Sequence, residues 1–283
     1  MRAHQGLYPV GKMCRALKVS RGGYYAWLKR PLSKRAKENK MLAAQIERIY
    51  RKSHGRYGSP RITHELSRMG HRVSRPRVAR LMRRSGLSAK RRKKFTVTTN
   101  SNHKYPISPN LLDRDFSVSQ FARVWISDIT YVRTAQGWLY LTIILDLYNR
   151  MIVGWAMSDG LSAAETSIAA LQQAWKRFHP RPNLMFHSDR GVQYACHDFR
   201  NQLTTYQMIQ SMSRKGNCWD NAVAESFFAT LKKELVYQKS FKTKNQARQE
   251  IFEYIEIFYN RQRKHSYLEY ESPVQFMGLN GVA

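Results

Sequence analysis

Apolar residues recur every three or four positions through the first third of the chain. They then alternate or run together in short blocks through the middle, and return to helical spacing near the end. Each change of period marks a change of element. Residues 36–52 predict a helix with Leu42, Ile46, Ile49 and Tyr50 on one face. A second begins at Pro60, with Ser59 as its cap, turns Ile62, Leu66 and Met69 inward, and stops at Gly70. A third runs from Pro76 to Ser85, capped by Ser74 and closed by Gly86, and buries Val78, Leu81 and Met82. Helix, tight turn and basic helix is the arrangement that sets a second helix in the major groove, or along phosphates. Ahead of it, Met13–Ser20 and Arg21–Leu28 predict two short helices, either a further helix-turn-helix or a brace without DNA contact.

The period shortens near residue 123. Val124–Thr134, Trp138–Leu147 and Met151–Met157 read as three strands of an antiparallel meander, separated by Ala135-Gln-Gly137 and Tyr148-Asn-Arg150. Ser162 and Glu165 form a capping-box pair opening a helix to about Phe178. Leu184–His187 is a fourth strand, a helix follows near 196–206, and Ile209–Met212 is a fifth. Helices near 221–238 and 243–261 close the series. The fold class is therefore α/β, a five-stranded mixed sheet preceded by a basic all-helical region. The expected segments are 1–35 helical, 36–94 helix-turn-helix, 95–120 linker, 121–240 catalytic core and 241–283 helical extension.

Charge sharpens this division. Of the 49 Lys and Arg residues, 30 fall in residues 1–117 against only 5 Asp and Glu, whereas residues 118–283 hold 19 against 14. A front half of that density suits a polyanion, because each neutralised phosphate releases condensed counterions. Arg75, Arg77, Arg80, Arg83 and Arg84 of the third helix are the candidate DNA contacts. The run Lys90-Arg-Arg-Lys-Lys94 reads as a tether or a sequence-independent phosphate contact. Three cysteines without a CxxC pair argue against a disulfide framework or a zinc module and fit a reducing cytosol. The most apolar stretch falls far short of the ~20 residues a bilayer requires, and no signal-peptide core is evident at the start. No GxxxxGK[ST] loop appears, which disfavours an ATP-driven DNA enzyme.

The candidate chemistry lies in three carboxylates. Asp128 falls mid-strand among apolar neighbours, Asp189 just past the fourth strand, and Glu225 in the first turns of the long helix, with 35 residues between the last two. A carboxylate inside a sheet is costly unless a cation compensates it, and three such groups suit two Mg²⁺ ions, or Mn²⁺ in their place. Each also has a plainer reading: a salt-bridged core residue at Asp128, an Asx turn before Gly191 at Asp189, a helix-dipole partner at Glu225. Asp146 is the strongest rival ligand, as it ends a strand beside Asp128, with Asp220 and Asp159 behind it. His187 stands two residues from Asp189 and is expected to support it. Lys232, seven residues after Glu225, is expected along the DNA backbone.

Trp125-Ile-Ser-Asp-Ile-Thr-Tyr131, His187-Ser-Asp-Arg-Gly-Val-Gln-Tyr194, Ser213-Arg-Lys-Gly-Asn-Cys-Trp-Asp-Asn-Ala222, Glu225-Ser-Phe-Phe228 and the tail from Tyr259 to Pro273 resemble the integrase core of the IS3 family of bacterial insertion-sequence transposases. Residues 53–86 resemble the helix-turn-helix that precedes it. The resemblance implies an RNase H-like fold, a D,D(35)E triad matching Asp128, Asp189 and Glu225, and a basic residue matching Lys232. It implies metal-dependent 3′-end cleavage and strand transfer on double-stranded DNA, both element ends and target, by a homo-oligomer in the bacterial cytoplasm, at the nucleoid. It further implies a downstream-frame product that works with an upstream-frame partner or fusion. One departure is visible, Glu269 where the tail of the family carries glycine. The competing expectations are a catalytically silent DNA-binding regulator of transposition and a nuclease that cuts without joining.

Overall fold

The computed structural model describes residues 1–89, 105–215 and 217–279. The run Lys90–Lys94 and residues 95–104 of the expected linker lie outside the described residues. The chain divides into two compact units, Met1–Ala89 and Lys90–Ala283.

The first unit is helical: α1 (Val10–Ala16), α2 (Arg21–Lys29), α3 (Lys34–Lys52), α4 (Ser59–Arg68) and α5 (Arg75–Arg84). Leu42, Ile46 and Ile49 of α3 bury against Ile62 and Leu66 of α4 and Val78, Leu81 and Met82 of α5. The predicted periods produce this three-helix core, with two corrections at the ends. Gly58 rather than Ser59 occupies the cap of α4, so Ser59 starts the helix. Met69 is the residue after that helix and stands 39% exposed, because the backbone has already left the helical path. Gly70 (φ +84°) and Gly86 (φ +67°) take the left-handed turn that ends each helix, a conformation a Cβ disfavours. Helices α1 and α2 bury only Cys14 and Tyr24.

The second unit holds a five-stranded sheet: β1 (Val124–Thr134), β2 (Gly137–Asp146), β3 (Ile152–Ser158), β4 (Met185–Ser188) and β5 (Ile209–Met212), in the order β3-β2-β1-β4-β5. The meander is antiparallel, and β4 and β5 add parallel on the other side of β1. Helix α6 (Ala169–Phe178) follows a π-helical turn at Ala164–Ile168, α7 spans Val192–Ala195 and α8 His197–Thr205. Helix α9 spans Ala222–Glu234, α10 spans Lys244–Phe252 and runs on as a π-helix through Glu253–Tyr259, and α11 spans Pro273–Leu279. The sequence pattern missed both π-helical segments and α11. Only half of the expected capping box forms: Ser162 accepts the Glu165 N–H at 3.3 Å, but the Glu165 carboxylate meets the Ser162 hydroxyl instead of a backbone N–H.

Side chains alternate across each strand, so the sheet has two buried faces. Trp125, Ile144, Val153 and Phe186 pack with Ala170, Leu171, Ala174, Phe199 and Leu203 of α6 and α8. Gly154 lets α6 close on β3, since a Cβ there would lie 2.5 Å from the Ala170 carbonyl oxygen and 2.7 Å from Ala174 Cβ. Helices α9 and α10 pack along β1 and β2, burying Phe227, Phe228, Leu231 and Ile251. In the tail, Glu269 and Tyr270 sit at φ +53° and +64°, a left-handed turn of the kind glycine adopts most readily.

Candidate active site

Asp128 lies in the middle of β1, opposite Ile143 of β2. Asp189 lies one residue past β4, the parallel neighbour of β1, at the end where α/β sheets hold ligands. Both carboxylates line one cleft of about 240 Å³ with Tyr131, Leu161, Gly191, Gln193 and Tyr194. Asp128 Oδ1 accepts the N–H of Ile129 at 2.8 Å, and Asp189 Oδ1 accepts that of Gly191 at 2.9 Å. The Asx turn envisaged for Asp189 therefore exists, and it holds the carboxylate toward the cleft rather than away from it. Burial and the Asp189 charge push the Asp128 carboxyl well above the usual carboxylate range.

Glu225 occupies the first turn of α9 and is exposed. Desolvation and the Asp189 charge raise its carboxyl, and its own charge adds to the raising of Asp128. Glu225 does not line the Asp128–Asp189 cleft. Among the described residues no three His, Cys, Asp or Glu side chains gather tightly enough to form a metal site by themselves. The structure thus brings two of the three carboxylates together and leaves the third nearby on a helix. The desolvated Asp128 and its neighbour Asp189 are hard oxygen donors that repel one another across a cleft, which fits a divalent cation.

Helix α9 is anchored by the residue before it. The Asn221 side chain is buried and donates from Nδ2 to the Ser127 carbonyl at 3.1 Å, one residue from Asp128, while its Oδ1 is buried without a hydrogen-bond partner. Ser127 is itself fixed, its hydroxyl meeting the Ile143 carbonyl and the Tyr194 hydroxyl at 2.8 Å each. Asn221 is the cap residue directly before α9 and Glu225 lies in its first turn, so this amide fixes where the start of that helix stands relative to β1. Sequence reasoning missed Asn221; its place directly after Asp220 in the Ser213–Ala222 motif was the available signal. Asn221→Ala is expected to destabilise the second unit by ~1–3 kcal/mol, since it leaves the buried Ser127 carbonyl without this donor. Urea unfolding checks this, and an unchanged midpoint contradicts it.

Several expected site residues lie elsewhere. Asp146 pairs with Trp125, three residues along from Asp128, and alternation turns it to the opposite face. Its carboxylate accepts from the backbone N–H of Ala122 (2.8 Å), Tyr148 (3.0 Å) and Asn149 (3.3 Å) and from Trp125 Nε1 (3.2 Å). It caps the β2–β3 turn, and burial raises its carboxyl to about 6. His187 is buried, with Nδ1 at 2.9 Å from the Ser211 hydroxyl and Nε2 at 3.1 Å from that of Ser213. Burial drives its pKa down to about 4, so a neutral imidazole ties β4 to β5. Asp159 pairs with Lys244 and Arg248 at the surface. Asp220 is fully buried and accepts from Arg214, Arg114 and Asn110, and Arg214 first among them holds its carboxyl far below the usual range. Lys232 is 8% exposed, with burial lowering its pKa against the pull of Asp128. It is buried within reach of the Asp128 charge rather than set on an open surface.

In the first unit Arg75, Arg80, Arg83 and Arg84 are exposed along α5. Arg77 is not available in the same way: it makes a bidentate pair with Glu38 (3.1 and 2.9 Å) and donates to Asn39 (3.0 and 2.8 Å), clamping α5 to α3. The Arg77 guanidinium holds the Glu38 carboxyl below its ordinary value.

Comparison with known proteins follows this division. Residues 36–95 match an HTH-like domain, and residues 119–218 and 225–278 match two models described as integrase core domain. The chain is 41% identical over 280 residues to the transposase InsF for insertion sequence IS3A of Escherichia coli (strain K12), covering 98% of this chain and 96% of that protein. It is 43% identical over 264 residues to an uncharacterized 31 kDa protein of insertion element IS600 from Shigella sonnei, covering 93% and 97%. Among solved structures, the HTLV-2 integrase catalytic core domain in complex with magnesium aligns with 55% of this chain and 95% of its own at 15% identity, TM-score 0.42.

Proposed function

The chain belongs to the IS3-family insertion-sequence transposases and is a DDE transposase, and from that premise we propose that Asp128, Asp189 and Glu225 are its reacting carboxylates, holding two Mg²⁺ ions. The observation that carries this reading is the repulsion of Asp128 and Asp189 across one cleft, with Glu225 adding to the same field. Bound divalent cations would activate the attacking oxygen and stabilise the leaving 3′ oxygen. The protein groups hold the geometry: the Asx turn at Gly191 aims Asp189, the strand presents Asp128, and the Asn221 amide ties the start of the helix of Glu225 to the Ser127 carbonyl. Glu225, exposed in the first turn of that helix, would complete the set that holds the cations. The freed 3′ hydroxyl then attacks a second phosphodiester, so strands are joined as well as cut.

The test supplies the DNA flanking this reading frame with purified chain and Mg²⁺ or Mn²⁺. Nicked and joined products that vanish with EDTA are expected. Absence of both, even when the upstream-frame portion is fused on, overturns the reading. The partner is double-stranded DNA at element ends and target, and we place the working oligomer at the nucleoid; no helix among the described residues is long and apolar enough to cross a membrane.

Arg75, Arg80, Arg83 and Arg84 contact DNA in this proposal, whereas Arg77 is structural. Replacing Arg80 and Arg83 by Gln is expected to lower the slope of log K against log salt by about 1.8, at about 0.9 per lost phosphate contact. Arg77→Gln is expected to leave the slope unchanged and to lower the melting temperature. Equal slopes for all three proteins would contradict this division of labour.

A further inference from the structure

Trp219 is 68% exposed, yet it belongs to a firmly anchored loop. On one side Asn217 Oδ1 accepts its backbone N–H at 3.3 Å. On the other, Asp220 is fully buried and held by Arg214 (Nε 3.0 Å, backbone N 2.9 Å), Arg114 (Nε 2.8 Å) and Asn110 (Nδ2 3.1 Å). Asn221 is tied to the Ser127 carbonyl. The loop leaves the sheet at the end of β5, beside the end of β4 that leads to Asp189, and Arg190 Nε crosses between them to the Ser213 carbonyl at 2.6 Å. Among the described residues the indole packs against no other ring. A large flat apolar surface is thus held in water on a fixed frame, between the turn of Asp189 and the helix of Glu225.

Burying an indole is among the larger gains a side chain offers, so leaving one exposed on a rigid loop points to a partner that covers it. The chemistry of the substrate narrows that partner. DNA offers phosphates, which the exposed Lys215 of this loop suits, and the faces of bases, which an indole suits. Drawing a nucleotide out of the duplex stack costs a few kcal/mol, which an aromatic face can offset. We propose that Trp219 stacks on an unstacked nucleobase adjoining the scissile phosphate, and so positions the DNA end for cleavage. This rests on Asp128, Asp189 and Glu225 being the reacting centre. Stacking tolerates any base, so the contact sets position rather than sequence preference.

The test uses the full chain and a duplex of the DNA flanking this reading frame, with 2-aminopurine at either nucleotide beside the cleavage point and no divalent metal. With wild-type protein the probe is quenched by the indole. Trp219→Ala is expected to brighten it several-fold, Trp219→Phe to retain most of the quenching, and both variants to keep the wild-type melting temperature. With Mg²⁺ restored, Trp219→Ala is expected to cleave about tenfold to a hundredfold more slowly, the range set by loss of one stacked base. Loss of DNA binding by Trp219→Ala, retained by Trp219→Phe, supports the same contact. Identical fluorescence and rate for wild type and Trp219→Ala overturn it, as does an effect confined to self-association in sedimentation. Asp189→Asn runs in parallel. If it still cleaves, the assignment of the reacting centre fails; if it is inactive while Trp219→Ala behaves as wild type, only the stacking contact fails.

Discussion

Asp189→Asn is expected to bind DNA normally and to lose cleavage and strand joining by about 10⁴-fold or more, the scale of loss when one member of a catalytic set acting as a unit is removed. The substitution keeps the size of the side chain and the oxygen that accepts the Gly191 N–H, so the turn survives. What it removes is half of the negative charge that lines the cleft with Asp128. Asp128→Asn is expected to be equally inactive, with an added signature. Because Asp128 is desolvated and faces a second carboxylate, neutralising it removes a destabilising charge, and the metal-free variant should melt above wild type at neutral pH. Mg²⁺ should raise the melting temperature of wild type and much less that of either variant. End-labelled DNA resolved on denaturing gels gives the rates, and calorimetry with EDTA or Mg²⁺ gives the stabilities. Asp189→Asn retaining more than about a hundredth of wild-type activity would falsify the assignment.

The largest effect on stability is expected at the other end of α9. Glu234, the last residue of that helix, and Arg263 are each 5% exposed at the side chain. Arg263 Nε lies 3.2 and 3.0 Å from the two carboxylate oxygens, its terminal amine 2.9 Å from one, and the Tyr254 hydroxyl donates to the other at 2.8 Å. Burial alone would lower the Arg263 pKa, but the Glu234 charge and hydrogen bonds more than reverse this, holding the guanidinium above its ordinary value. Arg263→Ala strands a buried carboxylate and is expected to cost about 3–5 kcal/mol, whereas replacing both partners by Leu and Met of similar volume should recover much of that loss. Urea unfolding followed in the near ultraviolet checks both. A single variant within about 1 kcal/mol of wild type would contradict the account, since a broken buried pair costs several times that. Activity should fall with stability here, because this pair fixes the far end of the helix that carries Glu225.

Elements with strong local signals were legible in the sequence. The 3.6-residue period placed the three helices that form the core of the first unit, and the glycines at 70 and 86 marked their ends because only a left-handed turn stops them there. Runs of β-branched and aromatic residues located all five strands to within one residue at most boundaries. The three carboxylates were legible as candidates, Asp128 above all as an acid where an acid is costly, and the fold brings Asp128 and Asp189 to one cleft. Less visible were the π-helical segments at Ala164–Ile168 and Glu253–Tyr259, since both lie within spans that already read as helix and so short an i→i+5 stretch has no composition signature of its own.

What the sequence determined by itself, then, was local: which segments coil, which extend, where charge concentrates and which carboxylates are out of place. Register and partners were decided only in three dimensions. Asp146 looked like a neighbour of Asp128 because both sit on paired strands. Three positions of register put it on the opposite face, where four N–H groups claim it. Arg77 belonged to a basic helix by composition, but α3 brings Glu38 and Asn39 against it and takes it out of the exposed set. Lys232 and Asn221 lie on one helix end to end, and only the packing of α9 on β1 makes the first a buried cation near Asp128 and the second its amide tie. The physical reason is the same throughout. A side chain's period says which way it points along its own element, while the charge or donor it meets belongs to an element tens of residues away.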